Sequence, residues 1–211
     1  MQYGFYIDQT RCIGCHACVV TCKDRNDILP GPVSLRKLHT EQQGTFPNSN
    51  VINTTFSCNH CAEPACIPAC AYNAIYKDDK FGAVVIDRNK CQGAGSCIEA
   101  CPYKAIDRAD IGKNHNPNYK QEPLQGVYWK VEHPANKCDM CLPLIKNGEM
   151  PTCVATCPQR ALEWGPLDML KASHPEAVNH INNTNIFADP SKTNPSIIFK
   201  LKERINKWIK I

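Results

Sequence analysis

The chain has 211 residues and a formal net charge of +4, an excess too small to indicate a nucleic-acid partner. It contains no run of eighteen apolar residues, so we expect no membrane span, and its first eight residues lack the features of a signal peptide. Its 15 cysteines are several times the number expected from ordinary amino-acid usage, so the cysteine content needs an explanation of its own.

The first predicted element is a strand at residues 3–7, where aromatic and aliphatic residues dominate. Beyond it the cysteines form four close groups: Cys12, Cys15, Cys18 and Cys22; Cys58, Cys61, Cys66 and Cys70; Cys91, Cys97 and Cys101; and Cys138, Cys141, Cys153 and Cys157. Between the second and third groups, residues 76–86 predict a hairpin with a polar turn that contains glycine.

Each group is a variant of the bacterial ferredoxin motif C-x₂-C-x₂-C-x₃-C-P. In that motif three cysteines on a tight loop bind one cluster, and the fourth, about one helical turn further on, binds the neighbouring cluster. Three groups end in related sequences that lead into a short apolar stretch: Cys70-Ala-Tyr-Asn-Ala74-Ile75, Cys101-Pro-Tyr-Lys-Ala105-Ile106 and Cys157-Pro-Gln-Arg-Ala161-Leu162. This internal repeat predicts ferredoxin-like organisation, in which a strand follows each cluster loop.

Disulfide bonds and zinc are the structural alternatives for these cysteines. Cysteines this close rarely form disulfides. A zinc ribbon needs only C-x₂-C pairs, whereas three of the groups continue beyond such a pair with a third and a fourth cysteine. The sequence Cys12-Ile-Gly-Cys15-His16 matches the c-type haem attachment motif, but it occurs once and continues into further cysteines. We therefore interpret His16 and His60 as polar neighbours of clusters. The small residues of Gly93-Ala94-Gly95 let the backbone come close to a cluster, and we prefer this interpretation to a nucleotide-binding loop.

The remaining segments are polar. Residues 108–136 are rich in Asn, Pro and Lys and predict a long loop, with a strand at 126–131, that shields clusters, touches a partner or stays solvated. Residues 172–196 predict an extended run over the surface of a partner. Residues 201–211 predict a basic amphipathic helix, which docks on a subunit or lies on a membrane surface.

Several short sequences together resemble one family: Tyr3-Gly-Phe-Tyr-Ile-Asp8, Ser57-Cys-Asn-His-Cys61, Ala100-Cys-Pro-Tyr103, Lys137-Cys-Asp-Met-Cys141 and Ala161-Leu-Glu-Trp-Gly-Pro-Leu-Asp168. Over about residues 3–170, the chain resembles the four-cluster iron–sulfur subunit of anaerobic dimethyl sulfoxide reductase and its relatives. The resemblance implies a catalytic partner with a molybdenum or tungsten bis-pterin cofactor. It also implies, commonly, a membrane subunit that exchanges electrons with quinone.

The resemblance further implies which cysteines share a cluster, because in this family the first group pairs with the fourth and the second with the third. Three implied sites hold a [4Fe–4S] cluster: site 1 (Cys12, Cys15, Cys18 and Cys157), site 2 (Cys22, Cys138, Cys141 and Cys153) and site 3 (Cys58, Cys61, Cys66 and Cys101). The last, site 4, has three cysteines: Cys70, Cys91 and Cys97.

Site 4 departs from the family pattern, since Ala94 stands where the family usually has a cysteine. An alanine methyl group cannot bind iron, and three thiolates suit a [3Fe–4S] cluster. We therefore predict a [3Fe–4S] cluster at site 4 and three [4Fe–4S] clusters at the other sites. The alternatives at site 4 are a [4Fe–4S] cluster with water or a non-cysteine ligand, and an empty site.

We predict an α+β fold of two ferredoxin-like modules: module 1 at residues 1–50 and 137–170, module 2 at 51–107, an insertion loop at 108–136, and a tail at 171–211 that docks on a partner or membrane. The predicted function is electron transfer in a molybdenum or tungsten oxidoreductase, peripheral to either face of the cell membrane, without a catalytic site in this chain. The alternatives are an electron-transfer subunit of a formate dehydrogenase or hydrogenase, and a stand-alone ferredoxin-like carrier.

Overall fold

The computed structural model describes residues 1–28, 31–108, 134–181 and 188–203. Its strands and helices in chain order are β1 (Tyr3–Asp8), α1 (Ala17–Arg25), β2 (Arg36–Thr45), β3 (Asn48–Ser57), β4 (Ile75–Lys77), β5 (Val84–Ile86), α2 (Ser96–Ala100), β6 (Asp107–Arg108), β7 (Ala135–Asn136), α3 (Leu142–Lys146), α4 (Thr152–Ala155), β8 (Leu162–Pro166), α5 (Leu167–Ser173), a 3-10 helix (Pro190–Lys192) and β9 (Ile197–Lys200). This mixture of helices and strands confirms the predicted α+β content.

Strand β1 is the central strand of a sheet with the order β8-β1-β9. Strand β8 runs antiparallel to β1, and β9 runs parallel to it. Phe5 and Ile7 lie in the main core, whereas Tyr6 packs on the opposite face with Leu167 and Leu170. The strand predicted at the start of the chain is therefore confirmed, and so is the strand predicted after the fourth cysteine group.

Strand β9 lies within residues 171–211, the predicted docking tail, and belongs to the chain's own sheet, which the sequence did not predict. Ile197, Ile198 and Phe199 are buried in the chain's own fold and pair with β1. The physical reason is that β1 would otherwise present an unpaired edge, and a run of apolar residues satisfies both its hydrogen bonds and its side chains. The helix predicted at residues 201–211 falls mainly on residues 204–211, which lie outside the described residues.

Two hairpins connect the cysteine groups. Strands β2 and β3 pair antiparallel along their whole length, from Arg36 opposite Ser57 to Thr45 opposite Asn48. The predicted module boundary between residues 50 and 51 falls inside β3, so it would divide a continuous hairpin. Strands β4 and β5 also pair antiparallel, and the hairpin predicted between the second and third cysteine groups is confirmed.

The two largest clusters of buried residues in the described part of the chain are a main core and a second core. The main core joins β1, β8 and β9 to Phe81 and Ala83 of the β4–β5 hairpin, and the second core contains Ile75, Ile86 and other residues around the second and third cysteine groups. The ring of Tyr3 contacts the ring of Phe81 edge-on, with centroids 5.1 Å apart. Cysteines of the first and fourth groups pack on the main core, and most cysteines of the second and third groups pack on the second core. Cys58 and Cys61 of the second group, however, cluster with Cys138 of the fourth, and the division into two modules stays a prediction.

Strands β6 and β7 bring the two ends of the predicted insertion side by side, with Asp107 opposite Asn136 and Arg108 opposite Ala135. The strand predicted at residues 126–131 lies outside the described residues. Within the part of the chain that is described, no helix combines the length and the apolar character needed to cross a bilayer.

Candidate metal centres

All fifteen cysteines lie within the described residues, and all have free thiols. Most are buried, although Cys15 is exposed. Because thiols are weak hydrogen-bonding groups that rarely gather without a covalent or metal partner, this concentration in the interior identifies the candidate sites.

Site 1 lies between the start of the chain and the segment after α4. One cavity is lined by the full set of cysteines predicted for it: Cys12, Cys15, Cys18 and Cys157. The loop between β1 and α1 turns through Gly14, whose φ of 73° favours glycine, and a Cβ at that position would come within 2.7 Å of the Asn53 side chain. The hydroxyl of Thr55 lies 3.5 Å from Sγ of Cys18, so hairpin β2–β3 contacts this site.

The thiols predicted for site 2 are all buried, with exposed fractions of 5–8%: Cys22, Cys138, Cys141 and Cys153. They come from α1, from the turn before α3 and from α4. Burial raises the pKa of the Cys22 thiol to about 12, and the nearby thiols of Cys153 and Cys141 raise it further. Helices α1 and α4 thus carry Cys22 and Cys153, and the turn before α3 carries Cys138 and Cys141.

Site 3 follows strand β3. One cavity is lined by all four cysteines predicted for this site: Cys58, Cys61, Cys66 and Cys101. Burial raises the pKa of the Cys66 thiol to about 12 and that of the Cys61 thiol to about 11. Tyr103 and Thr193 line the same cavity, so residues near the C-terminal end of the described chain help to enclose it.

Site 4 is a cavity next to the second core, lined by three cysteines and by Ala94: Cys70, Cys91 and Cys97 supply its thiols. Gly93 and Gly95, on either side of Ala94, have φ angles of 69° and 91°, which allow the tight loop around the cavity. The guanidinium of Arg108 donates a hydrogen bond of 2.9 Å to the carbonyl oxygen of Ala94. Tyr72 also lines the cavity and is 51% exposed.

Each of the cavities at sites 1, 3 and 4 is lined by three or four thiols that converge on one space. Such a gathering of thiols indicates a place for a bound group that takes thiolate ligands. The described residues contain no group of three or more His, Cys, Asp or Glu side chains placed to hold one metal ion directly. The thiols instead surround spaces, and soft thiolate ligands around such spaces fit iron–sulfur clusters.

Arg36 is a cation buried among the cysteines of sites 1 and 2, with an exposed fraction of 1%. Its guanidinium donates hydrogen bonds to the hydroxyls of Thr55 (3.3 Å) and Ser57 (3.2 Å). Burial alone would lower the pKa of Arg36, but nearby thiolates, first Cys153 and then Cys18, raise it above its ordinary value. Nothing in the local sequence of Arg36 indicated this position.

Lys137 is a second buried cation, with an exposed fraction of 3%. Its ammonium donates to Sγ of Cys58 (3.4 Å), to the carbonyl oxygen of Cys138 (2.9 Å) and to the carbonyl oxygen of Val84. No motif in the sequence assigned this lysine a role, although it belongs to one of the segments that resemble the family. Its position directly before Cys138 was the signal that could have identified it.

The two histidines interpreted as neighbours of clusters have different surroundings. His16 is exposed and lines the site 1 cavity. His60 is fully buried, and its Nδ1 accepts a hydrogen bond of 3.0 Å from the backbone of Val84, which places the ring hydrogen on Nε2. That Nε2 has no partner among the described residues, and burial, followed by the charges of Lys137 and Arg36, lowers the pKa of His60.

Comparison with known proteins adds independent findings. A family model described as a 4Fe-4S dicluster domain matches residues 50–120 and again residues 112–167. The chain is 34% identical over 205 residues to the B subunit of anaerobic dimethyl sulfoxide reductase of Escherichia coli, with 90% of this chain and 89% of that protein covered. It is 32% identical over 207 residues to the Haemophilus influenzae protein of the same name, with 90% of each covered.

A further relative is Protein NrfC of Escherichia coli, which is 31% identical over 169 residues and aligns with 80% of this chain and 67% of its own length. The 4Fe-4S dicluster matches include the second, third and fourth cysteine groups. They therefore cover the segments that line the cavities of sites 3 and 4.

Proposed function

The chain belongs to the 4Fe-4S dicluster family of iron–sulfur electron-transfer subunits that includes the B subunit of anaerobic dimethyl sulfoxide reductase, and from this we propose that it relays electrons through four clusters held by its fifteen cysteines. The relatives are non-catalytic subunits of a reductase, so the bond chemistry would belong to a partner subunit. When bound, iron–sulfur clusters accept and donate single electrons at potentials set by cluster type, charge, hydrogen bonding and exposure.

The observation that carries this proposal is the sorting of cysteines among cavities. The cavities at sites 1, 3 and 4 are each lined by the complete set of cysteines that the family pattern assigns to them, with no cysteine of another set. Cysteines from distant parts of the sequence, such as Cys12 and Cys157, meet in one cavity. A chain that used its thiols for unrelated purposes would have no reason to divide them in this way.

Helices and short turns connect the sites within each pair. Cys18 of site 1 and Cys22 of site 2 lie about one helical turn apart on α1. Cys97 of site 4 lies on α2, and Cys101 of site 3 follows it directly. We infer that sites 1 and 2 form one pair and sites 3 and 4 the other, with the pairs meeting between sites 2 and 3.

Site 4 is proposed to hold a [3Fe–4S] cluster. Three thiols and the methyl group of Ala94 line its cavity, and a cluster that lacks one corner iron needs only three thiolates. The other sites, with four thiols each, would hold [4Fe–4S] clusters. The difference in ligand number supplies a direct spectroscopic distinction between site 4 and the rest.

The proposed series of four clusters has exposed residues at both of its ends, near site 1 and near site 4, where two redox partners could bind. Around site 1, Cys15 is exposed, and the apolar side chains of Ile13 and Val20 are 61% and 62% exposed. We propose that this end faces a catalytic subunit that carries a molybdenum or tungsten bis-pterin cofactor. Site 4, beside the exposed Tyr72, would face a quinone-linked membrane subunit or a soluble carrier. The proposed location of the chain is therefore peripheral, within a complex on either face of the cell membrane.

Electron paramagnetic resonance combined with iron analysis tests the proposal on anaerobically purified, mildly oxidised protein. We expect about 15 irons per chain, from three four-iron clusters and one three-iron cluster, with the near-isotropic signal of an oxidised three-iron cluster. About 16 irons without that signal would mean that another ligand completes site 4. Zinc in place of iron would contradict the whole proposal.

A further inference from the structure

We propose that Lys137 sets the reduction potentials of the clusters at sites 3 and 2, as a buried cation at the junction between the two pairs of sites. This inference rests on the proposed function, because it concerns the clusters that the cysteines would hold. It assigns to Lys137 an electrostatic effect on its neighbours rather than a place among the ligands.

The hydrogen bonds of Lys137 connect the two sites directly. Its Nζ lies 3.4 Å from Sγ of Cys58, a ligand of site 3, and 2.9 Å from the carbonyl oxygen of Cys138, a ligand of site 2. The carbonyl of Val84, in the wall of the site 3 cavity, accepts its third hydrogen bond. All three donors of the ammonium are therefore used, and they hold its charge in one position.

The charge of Lys137 has no carboxylate partner among the described residues, and the side chain is almost completely buried. A buried ammonium without compensation is unfavourable, so its counter-charge must come from its surroundings. The thiol of Cys58, 3.4 Å from Nζ, is the nearest group that can carry that counter-charge. Negative charge at sites 3 and 2 and positive charge at Lys137 thus stabilise one another.

Lys137 lies between sites 2 and 3, which belong to different pairs, whereas the helices connect sites within one pair. Sites 1 and 2 share helix α1, and sites 3 and 4 are joined through α2 and the residue after it. Lys137 instead reaches across from the fourth cysteine group to the second. It is therefore placed to influence the step between the pairs while remaining distant from both exposed ends.

The direction of the effect follows from charge. Reduction makes a cluster and its thiolates more negative, and a nearby cation with a hydrogen bond to a ligand sulfur stabilises that reduced form. Lys137 should therefore raise the potentials of both sites. The effect should be larger at site 3, because the ammonium bonds directly to Sγ of Cys58 but reaches site 2 through a carbonyl oxygen.

The test is a redox titration of the iron-loaded protein, in its complex where it is isolated as one, monitored by electron paramagnetic resonance. The four potentials are assigned with single Cys→Ser variants of each site. Lys137→Met keeps a long apolar side chain and removes the charge, so we expect lower potentials at site 3 and, by less, at site 2, with sites 1 and 4 unchanged. Lys137→Arg, which keeps the charge, should restore most of the shift.

Lys77→Met is the matched control. Lys77 donates to the carbonyl oxygens of Cys61 (3.2 Å) and Ala62 (2.9 Å), so it is a lysine beside the same site but nearer to solvent. Solvent screens its charge, and its removal should shift site 3 much less than removal of Lys137. Equal shifts in the two variants, or unchanged potentials in a fully loaded Lys137→Met protein, would overturn the inference.

A second measurement avoids the mutation, in case Lys137→Met fails to load its clusters. Wild-type protein grown with lysine labelled with ¹⁵N at Nζ should show a nitrogen coupling to the reduced clusters in pulsed resonance, and Lys137→Arg should lose that coupling. Absence of the coupling in loaded wild-type protein would contradict the inference while leaving the proposed function intact. Absence of iron–sulfur clusters altogether would contradict both.

Discussion

The hydroxyl oxygens of Tyr103 and Thr193 lie 2.7 Å apart in a buried hydrogen bond that joins two distant parts of the sequence. Tyr103 follows Cys101, a predicted ligand of site 3, by two residues, and Thr193 comes directly after the 3-10 helix near the end of the described chain. Burial raises the pKa of the Cys61 thiol, and the hydroxyl of Thr193, in the wall of the same cavity, partly opposes that rise. The C-terminal segment therefore takes part in enclosing a candidate cluster site.

Replacement of Thr193 by valine should weaken this enclosure. The change leaves the buried hydroxyl of Tyr103 without its partner, at a cost of about 1–3 kcal/mol in the free energy of unfolding. Denaturant titration under anaerobic conditions, followed by visible absorbance, would measure the loss. Thr45→Val, at an exposed position of hairpin β2–β3, is the control and should leave the midpoint unchanged. Equal midpoints for both variants would show that the Thr193 contact does not support site 3.

Replacement of Ala94 by cysteine should convert site 4 to a four-iron site. Ala94 lines the cavity beside the three thiols, so a thiol there would supply the missing ligand. We expect the iron content to rise from about 15 to about 16 per chain and the oxidised three-iron signal to disappear. Ala94→Val adds bulk without a ligand atom and should keep the signal. A cysteine variant that keeps both the signal and the lower iron content would contradict the three-iron assignment.

Replacement of Arg36 by methionine should destabilise the protein and lower the potentials of sites 1 and 2. The guanidinium is buried over the Phe5 ring, 5.1 Å from its centroid, and removal of one partner from a set of buried charges costs about 3–5 kcal/mol in the free energy of unfolding. Denaturant and redox titrations would measure the two effects.

Arg11→Met is the matched control for Arg36, because Arg11 precedes the predicted ligand Cys12 but is exposed. Its removal should change both quantities little, since solvent screens exposed charges. If Arg36→Met shifted neither potential while iron loading stayed complete, the buried guanidinium would serve packing alone.

Replacement of Phe199 by alanine should show that β9 belongs to the core. The side chain is fully buried, and truncation of a buried phenylalanine costs about 3–5 kcal/mol in the free energy of unfolding. Leu201→Ala, two residues further on, alters a side chain that is 41% exposed and should cost less than about 0.5 kcal/mol. Comparable losses from the two changes would mean that β9 contributes no more than the surface residues after it.

The sequence by itself determined the local chemistry. Short spacers between cysteines, as in Cys12 to Cys18, limit which sulfur atoms can reach a common centre, and covalent geometry allows few alternatives. The strand at residues 3–7 and the hairpin at 76–86 were predictable for a similar reason, since their apolar pattern and turn lie within a few neighbouring residues. The departure at Ala94 was likewise visible without any structure.

Only the tertiary structure decided which distant residues surround the candidate clusters. Arg36 begins a polar hairpin, and Lys137 and Thr193 stand in segments with no apolar pattern, so their sequences predict exposed side chains. Lys137 and Thr193 are buried beside thiols and carbonyl groups that lie more than fifty residues away in the sequence. Arg36 is buried by its packing against strand β1. The pairing of β9 with β1 is equally non-local. Contacts of this kind form only when the whole chain has folded, because each depends on an electrostatic or packing partner that the neighbouring residues do not contain.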